Sequence, residues 1–413
     1  MNEYQYRAGR ILDKINELAS ISEDENCITR TFGTEKFMEG ADKVLEWMRE
    51  ADLNSRIDNI GNVRGKLLCS NPSAKTFVIA SHIDTVVNAG KFDGPLGVIM
   101  GLDLIEHLRQ SKINLPFHIE LIAFSDEEGV RFHTTYLGSK VVAGSFEKEL
   151  SEKKDSGGIT LEKAIVNIGG DINKLFDDAI DEKDWLGYFE IHIEQGPVLY
   201  EKNIPVGVVD SISAQRRVEI IFKGVAGHAG TVPMSMRNDA LICAAEFILT
   251  VERLAVENDL VATVGRLNIA HPATNVIPGE VVFSLDLRST NENILSFCYQ
   301  AIKNNCDAIC ARRNIGIEWK LVQETKSTSC DQAMKELLAR AIREAGYEPM
   351  YLVSGAGHDA VAISKVSPVA MLFVRCFKGI SHNPRENVEL NDIAQAIGVC
   401  DNFIGQLINQ NNS

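Results

Sequence analysis

Histidines and carboxylates collect where apolar runs end. The run FVIASHIDTV closes on His82 and Asp84, and because strand side chains alternate with period two, both point to one side. One can ligate a metal while the other orients it. Eleven residues after His82, Asp93 stands in GKFDGPLG, where glycines permit a tight turn and a carboxylate can bridge two ions. The run FHIELIAF leads into Ser125-Asp126-Glu127-Glu128-Gly129. The two glutamate side chains diverge, so one can bind metal while its neighbour faces the reacting water as general base. A third run, YFEIHIEQG, offers His192 with Glu194 and Gln195 behind it, and MLFVRCFKGISHNP offers His382. Singly these have ordinary readings: a packed histidine, an Asp-Gly turn, a solvated loop. Together His82, Asp93, Glu128, His192 and His382 form a mixed imidazole and carboxylate set suited to zinc, manganese or nickel.

The elements that must position this set follow from periodicity. Between Thr34 and Leu53, Phe37, Ala41, Val44, Leu45 and Met48 recur at the spacing of one buried helix face. Strand-like runs over residues 62–67, 76–81 and 117–124, with a helix over 96–109, predict an α/β sheet covered on both faces. Residues 151–187 read as a surface excursion with short helices. From Gln215 the pattern becomes strand 217–222, helix 239–257, strand 261–268, strand 281–288, helix 294–312 and strand 315–322. That is βαββαβ, the ferredoxin-like order, complete in itself. A helix over 332–345, a strand over 369–374 and a helix over 390–408 resume the first pattern. The expected organisation is one domain from 1–211 and 328–413, interrupted by an inserted domain at 212–327 with hinges near Ser211 and Ser327.

At 413 residues the chain exceeds one ordinary core, and 45% hydrophobic with 24% charged residues is average globular composition. The formal charge of −15 argues against nucleic acid or an anionic membrane as partner, since both demand basic patches. The first twenty residues lack the apolar core of a secretory signal, and no run approaches the ~18 apolar residues of a membrane span. Nine cysteines without a repeating pattern fit reduced thiols. A cytoplasmic location is expected.

The motifs SHIDTV, FDGPLG, SDEEGVRF, HIEQGPVL, GHAGTVPM, NVIPG, GAGHDA and GISHNP occur in this order over nearly the whole chain. This set resembles the allantoate amidohydrolase and N-carbamoyl-L-amino acid hydrolase family, within the two-metal aminoacylases and carboxypeptidases. The resemblance implies a two-metal aminopeptidase-like catalytic domain with an inserted ferredoxin-like dimerisation (lid) domain. It implies that Asp93 bridges two divalent ions (zinc, manganese, cobalt or nickel), His82 and His192 hold one, and Glu128 and His382 hold the other. Asp84 would fix the His82 tautomer. Glu127 would take the proton of the attacking water and pass it to the leaving nitrogen. His192 in HIEQG points to the ureido-acid branch, since the peptidase branches carry a carboxylate there.

By the same resemblance, His228 in GHAG would reach the active site of a second subunit and stabilise the oxyanion, which implies a homodimer. Arg288 would grip a substrate carboxylate through two parallel hydrogen bonds, a geometry lysine cannot match. Gln195, Asn275, Gly357 and His358 would add hydrogen bonds. Two departures stand out. Asn88-Ala89-Gly90-Lys91 occupies the place of a glycine pair in many bacterial relatives, and FVRC, with Arg375 and Cys376, together with VRFHTTYLGS, looks plant-type. The expected activity is hydrolysis of the ureido C–N bond of an N-carbamoyl acid, allantoate first, in purine-ureide breakdown. The rivals are an aminoacylase or dipeptidase cutting an ordinary amide, and a catalytically silent dimeric binding protein.

Overall fold

The computed structural model describes residues 2–412. Helices α1 (Glu3–Ala19) and α2 (Glu35–Glu50) precede strands β1 (Asn54–Ile57), β2 (Val63–Leu67) and β3 (Thr76–His82); helix α3 (Pro95–Gln110), strand β4 (His118–Phe124) and helix α4 (Leu137–Val142) follow. After short helical turns come β5 (Trp185–Ile193) and β6 (Val206–Ile212). Helix α2 starts where expected because the Thr34 side chain accepts a hydrogen bond from the Phe37 amide, and its apolar stripe is buried.

The main sheet runs β1-β2-β4-β3-β5, then Val369–Val374, then β6. Strands β3, β4, β5 and Val369–Val374 are mutually parallel where they pair, with His82 opposite Phe124 and His192 opposite Phe373. Every residue of β3, β4 and Val369–Val374 is buried, which explains their unbroken apolar runs: a central parallel strand is covered on both faces. Their carboxyl ends share one edge of the sheet, where open α/β folds place their sites.

The chain divides into two compact units, one ending at Asp210 and resuming at Cys330, the other Ser211–Ser329. In the second, an antiparallel sheet of Leu267–Ile269, Glu280–Ser289, Ala214–Lys223 and Gly316–Thr325 is packed by helices Ala240–Glu257 and Glu292–Arg313. The strand expected to run unbroken over 261–268 is split into Val261–Thr263 and Leu267–Ile269, which pair with different stretches of Glu280–Ser289. Gly265 sits in the gap. Among the described residues no helix is long and apolar enough to cross a membrane.

Candidate metal centre

His82 ends β3, His192 lies one residue before the end of β5, Glu127 and Glu128 follow β4, and His382 follows Val369–Val374. Asp93 enters α3 through Gly94, whose φ of 84° is left-handed and whose missing side chain leaves room for the His82 ring. Five chain segments thus converge on one point. The ligand atoms of His82, Asp93 and His192 lie within 4.8 Å of one another, as do those of His82, Glu127 and Glu128, and those of Asp93, Glu128 and His382.

The two oxygens of Asp93 face different groups. Oδ1 is 3.2 Å from His192 Nε2 and 3.7 Å from His82 Nε2. Oδ2 is 3.1 Å from His382 Nε2, and His382 Nε2 is in turn 3.3 Å from Glu128 Oε1. Gln195 Nε2 and Ser381 Oγ donate to Oδ2 at 2.8 and 2.7 Å, whereas Oδ1 accepts no hydrogen bond despite its proximity to His192. The imidazoles explain why. Nδ1 of His82 faces the Asp84 carbonyl at 3.1 Å and Nδ1 of His192 faces the Ile193 carbonyl at 3.0 Å. A carbonyl only accepts, so each Nδ1 carries a proton and each Nε2 is the nitrogen that offers a lone pair once its own proton yields to a metal. Two lone pairs and an unsatisfied carboxylate oxygen converging in a buried space fit a divalent cation.

Asp84 serves both sides of the cluster. Its carboxylate accepts the Glu127 and Glu128 amides at 3.1 and 3.2 Å, and it fixes the His82 tautomer through its backbone carbonyl more closely than through its carboxylate, which is 3.5 Å from Nδ1. The field is strongly negative. Burial alone would lower His82, yet contact with Asp84 and Asp93 raises it well above the usual imidazole range. Asp93 and Glu128 draw His382 up to about 10. Asp93 is held well below the carboxylate range because its three histidines outweigh burial. Burial pushes Glu127 well above that range, the direction a general base working near neutrality needs.

Of the other expected contacts, Gln195 reaches Asp93 directly. His358, pushed well below the imidazole range by burial and therefore neutral, packs edge-on to His192 with ring centroids 4.5 Å apart and shares a 2.7 Å hydrogen bond with Ser354. At Gly357 a Cβ would fall 1.7 Å from the Tyr136 hydroxyl. His228, Asn275 and Arg288 belong to the second unit. His228 is exposed and opposes Val276 in a two-stranded ladder, with the Asn275 carbonyl accepting from the Ala229 amide. Asp286 holds the Arg288 guanidinium through Nε and Nη2, both at 2.9 Å. Arg375 is committed to Asp392 and Asn203, and Cys376 is fully buried.

Of the residues that hold Asp93, sequence reasoning named Gln195 but missed Ser381 and Glu386. Glu386 accepts the Phe92 and Asp93 amides at 2.7 and 3.1 Å, and burial with the nearby Asp93 charge raises it to about 7. The only sequence signal was that Ser381 and Glu386 flank His382 in SHNPRE.

The profile of peptidase family M20/M25/M40 matches residues 78–406. The chain belongs to peptidase family M20/M25/M40. A probable allantoate deiminase of Oryza sativa subsp. japonica is 36% identical, covering 95% of this chain and 87% of that protein. An N-carbamoyl-L-amino acid amidohydrolase of Geobacillus stearothermophilus is 35% identical, covering 96% of this chain and 98% of the other. Among solved M20-type structures, AtUAH in complex with (S)-hydroxyglycine is 31% identical, with a TM-score of 0.86 and 97% of each chain covered. Family membership and fold thus agree with the expectation drawn from the motifs.

Proposed function

We propose that this chain is a binuclear metal-dependent amidohydrolase that cleaves the terminal ureido C–N bond of an N-carbamoyl acid, with allantoate the foremost substrate. The observation carrying the chemistry is Asp93, each of whose oxygens faces a separate imidazole group while Glu127 stands beside them. The observation carrying the substrate class is 35–36% identity over more than nine-tenths of the chain to proteins named for allantoate and N-carbamoyl amino acids.

In this reading two divalent ions would be held by Asp93, His82, His192, Glu128 and His382, with Asp93 shared, His82 and His192 on one side and Glu128 and His382 on the other. When bound, such ions polarise the ureido carbonyl and lower the pKa of water. Glu127 takes the water's proton and delivers it to the terminal nitrogen, which leaves as ammonia; the carbamate left on the inner nitrogen then loses carbon dioxide to give the shortened acid. Asp84 keeps Glu127 in place, and Gln195, Asn275, Gly357 and His358 bind substrate. Arg288, oriented by Asp286, grips the substrate carboxylate. His228 serves the active site of a second copy of the chain in a homodimer. The nine free cysteines fit a reducing compartment such as the cytoplasm, and allantoate as substrate would place the reaction in purine-ureide breakdown.

The test is a substrate panel on protein reconstituted with zinc, manganese, cobalt or nickel. Ammonia release from allantoate and N-carbamoyl-L-amino acids should exceed hydrolysis of N-acetyl amino acids and dipeptides by orders of magnitude. Preferred cleavage of dipeptides, or no turnover of any of these compounds, would overturn the proposal.

A further inference from the structure

Arg30 is the largest fully buried side chain among the described residues, 1% exposed, and the sequence motifs say nothing of it. Burial lowers its pKa only to about 10, so it remains a cation at neutral pH. No carboxylate of the described residues forms an ion pair with it; the nearby negative charge that steadies it is Asp84. Its hydrogen bonds go to backbone instead. Nε donates to the Ile83 carbonyl at 2.9 Å, and Nη1 to the carbonyls of Leu18 and Ile21 at 2.8 and 3.0 Å. Its own amide donates to Thr85 Oγ1 at 2.8 Å, and the Thr85 amide returns a bond to the Arg30 carbonyl at 3.1 Å. Helix α2 is notched to admit it: a Cβ on Gly40 would lie 2.9 Å from Arg30 Cδ.

A buried, carboxylate-free cation is costly, and a hydrophobic side chain would fill the same space more cheaply. Its placement supplies the compensation. Ile83 and Thr85, the residues on either side of Asp84, are both tied to Arg30, and both are thereby tied to the end of α1. Asp84 in turn holds the His82 ring through its carbonyl and the Glu127 and Glu128 amides through its carboxylate. A shift of residues 83–85 would therefore displace atoms on both sides of the metal cluster at once.

We propose that Arg30 is a positioning residue of the metal centre: a buried cation behind Asp84 that fixes residues 83–85 and sets the geometry of His82, Glu127 and Glu128 together. The inference rests on reading the cluster as a metal site. The experiment measures zinc affinity by chelator competition, with melting temperature, kcat and KM recorded in parallel, for the full chain and for Arg30→Met, Arg30→Lys and Gly40→Ala. Arg30→Met should weaken zinc binding ~10- to 100-fold, the range seen when a residue supporting a ligand is lost. Arg30→Lys should recover only part of this, because one ammonium cannot reach both the Leu18 carbonyl of α1 and the Ile83 carbonyl just past β3 in the fork geometry of a guanidinium. Gly40→Ala keeps the charge but crowds its stem, and should weaken zinc binding several-fold even if Arg30→Met fails to fold. Folded Arg30→Met with wild-type zinc affinity and kcat, or Gly40→Ala with unchanged zinc affinity, would overturn the assignment. Failure of the unaltered chain to bind zinc would instead overturn the metal-site reading itself.

Discussion

Nε2 of His82 and Nε2 of His192 face each other at 3.4 Å, with both Nδ1 atoms committed to carbonyl oxygens. The surrounding carboxylates raise both imidazoles, so a proton held at this contact is what a metal cation would displace. Chelation should therefore abolish turnover and lower the melting temperature, and restored zinc or manganese should reverse both. At a thousandfold excess over Kd the stabilisation is about 4 kcal/mol. Calorimetry with and without chelator reads it, and equal melting temperatures would count against the site.

Glu127→Gln preserves shape and the amide bonds to Asp84 but removes the proton acceptor. Turnover should fall ~100- to 10,000-fold, the usual share of general acid–base catalysis. Metal content should stay at the wild-type level. Near-normal turnover at full metal loading would remove Glu127 from its proposed role.

Gly357→Ala places a methyl group where the Tyr136 hydroxyl already lies, 1.7 Å from its oxygen. Tyr136 is only 8% exposed, so its ring has little open space to retreat into, and its amide bonds the Glu127 carbonyl at 3.2 Å, which couples its backbone to the general base. Displacement of this order near a reacting centre costs ~100-fold in rate. Adding Tyr136→Ala to Gly357→Ala should restore the melting temperature while leaving turnover low. Thermal scans of the two single variants and the double variant check the pairing.

Burial raises the Asp58 carboxyl to about 6 against the opposing pull of Arg64. In the unfolded chain it titrates near ~3.9. The folded state thus holds the proton more tightly, so its contribution to stability is full below the unfolded value and is lost as pH rises through about 6. Asp58→Asn cannot titrate. The stability lead of the natural protein over this variant should shrink by roughly 2 kcal/mol between pH 4 and pH 7, and urea denaturation at intervals across that range measures it. A lead that stayed constant would contradict the shift.

The legible part of the site was the part carried by strand ends. His82, Glu128, His192 and His382 follow four apolar runs, and parallel pairing brings such ends together whatever the loops do. The strands at Asn54–Ile57, Val206–Ile212 and Tyr351–Ser354 escaped notice for different reasons. The first and last are short and half exposed, so their alternation is weak, while Val206–Ile212 is interrupted by glycine and aspartate. Glu386 and Arg30 were illegible in another sense. Each acts by bonding backbone groups far away in sequence, and a backbone amide leaves no residue type to recognise. The same holds for Tyr136, whose importance depends on a missing side chain at position 357.

The chain enters the second unit and leaves it through adjacent strands: Ile212 pairs with Thr328 and Ser211 with Ser329. Paired antiparallel residues stand only about 5 Å apart, so the unit is spliced in at a single gap, like a cassette between two abutting ends. Every residue of the metal cluster lies outside Ser211–Ser329. Mutation can therefore lengthen, trim or recarve this module, with its exposed His228 and its Arg288, without altering the spacing of a single ligand. On the proposed reading, Arg288, Asn275 and His228 can change with this module, while Gln195, Gly357 and His358 stay with the ligands, so recognition of substrate would be divided between two stretches of one gene.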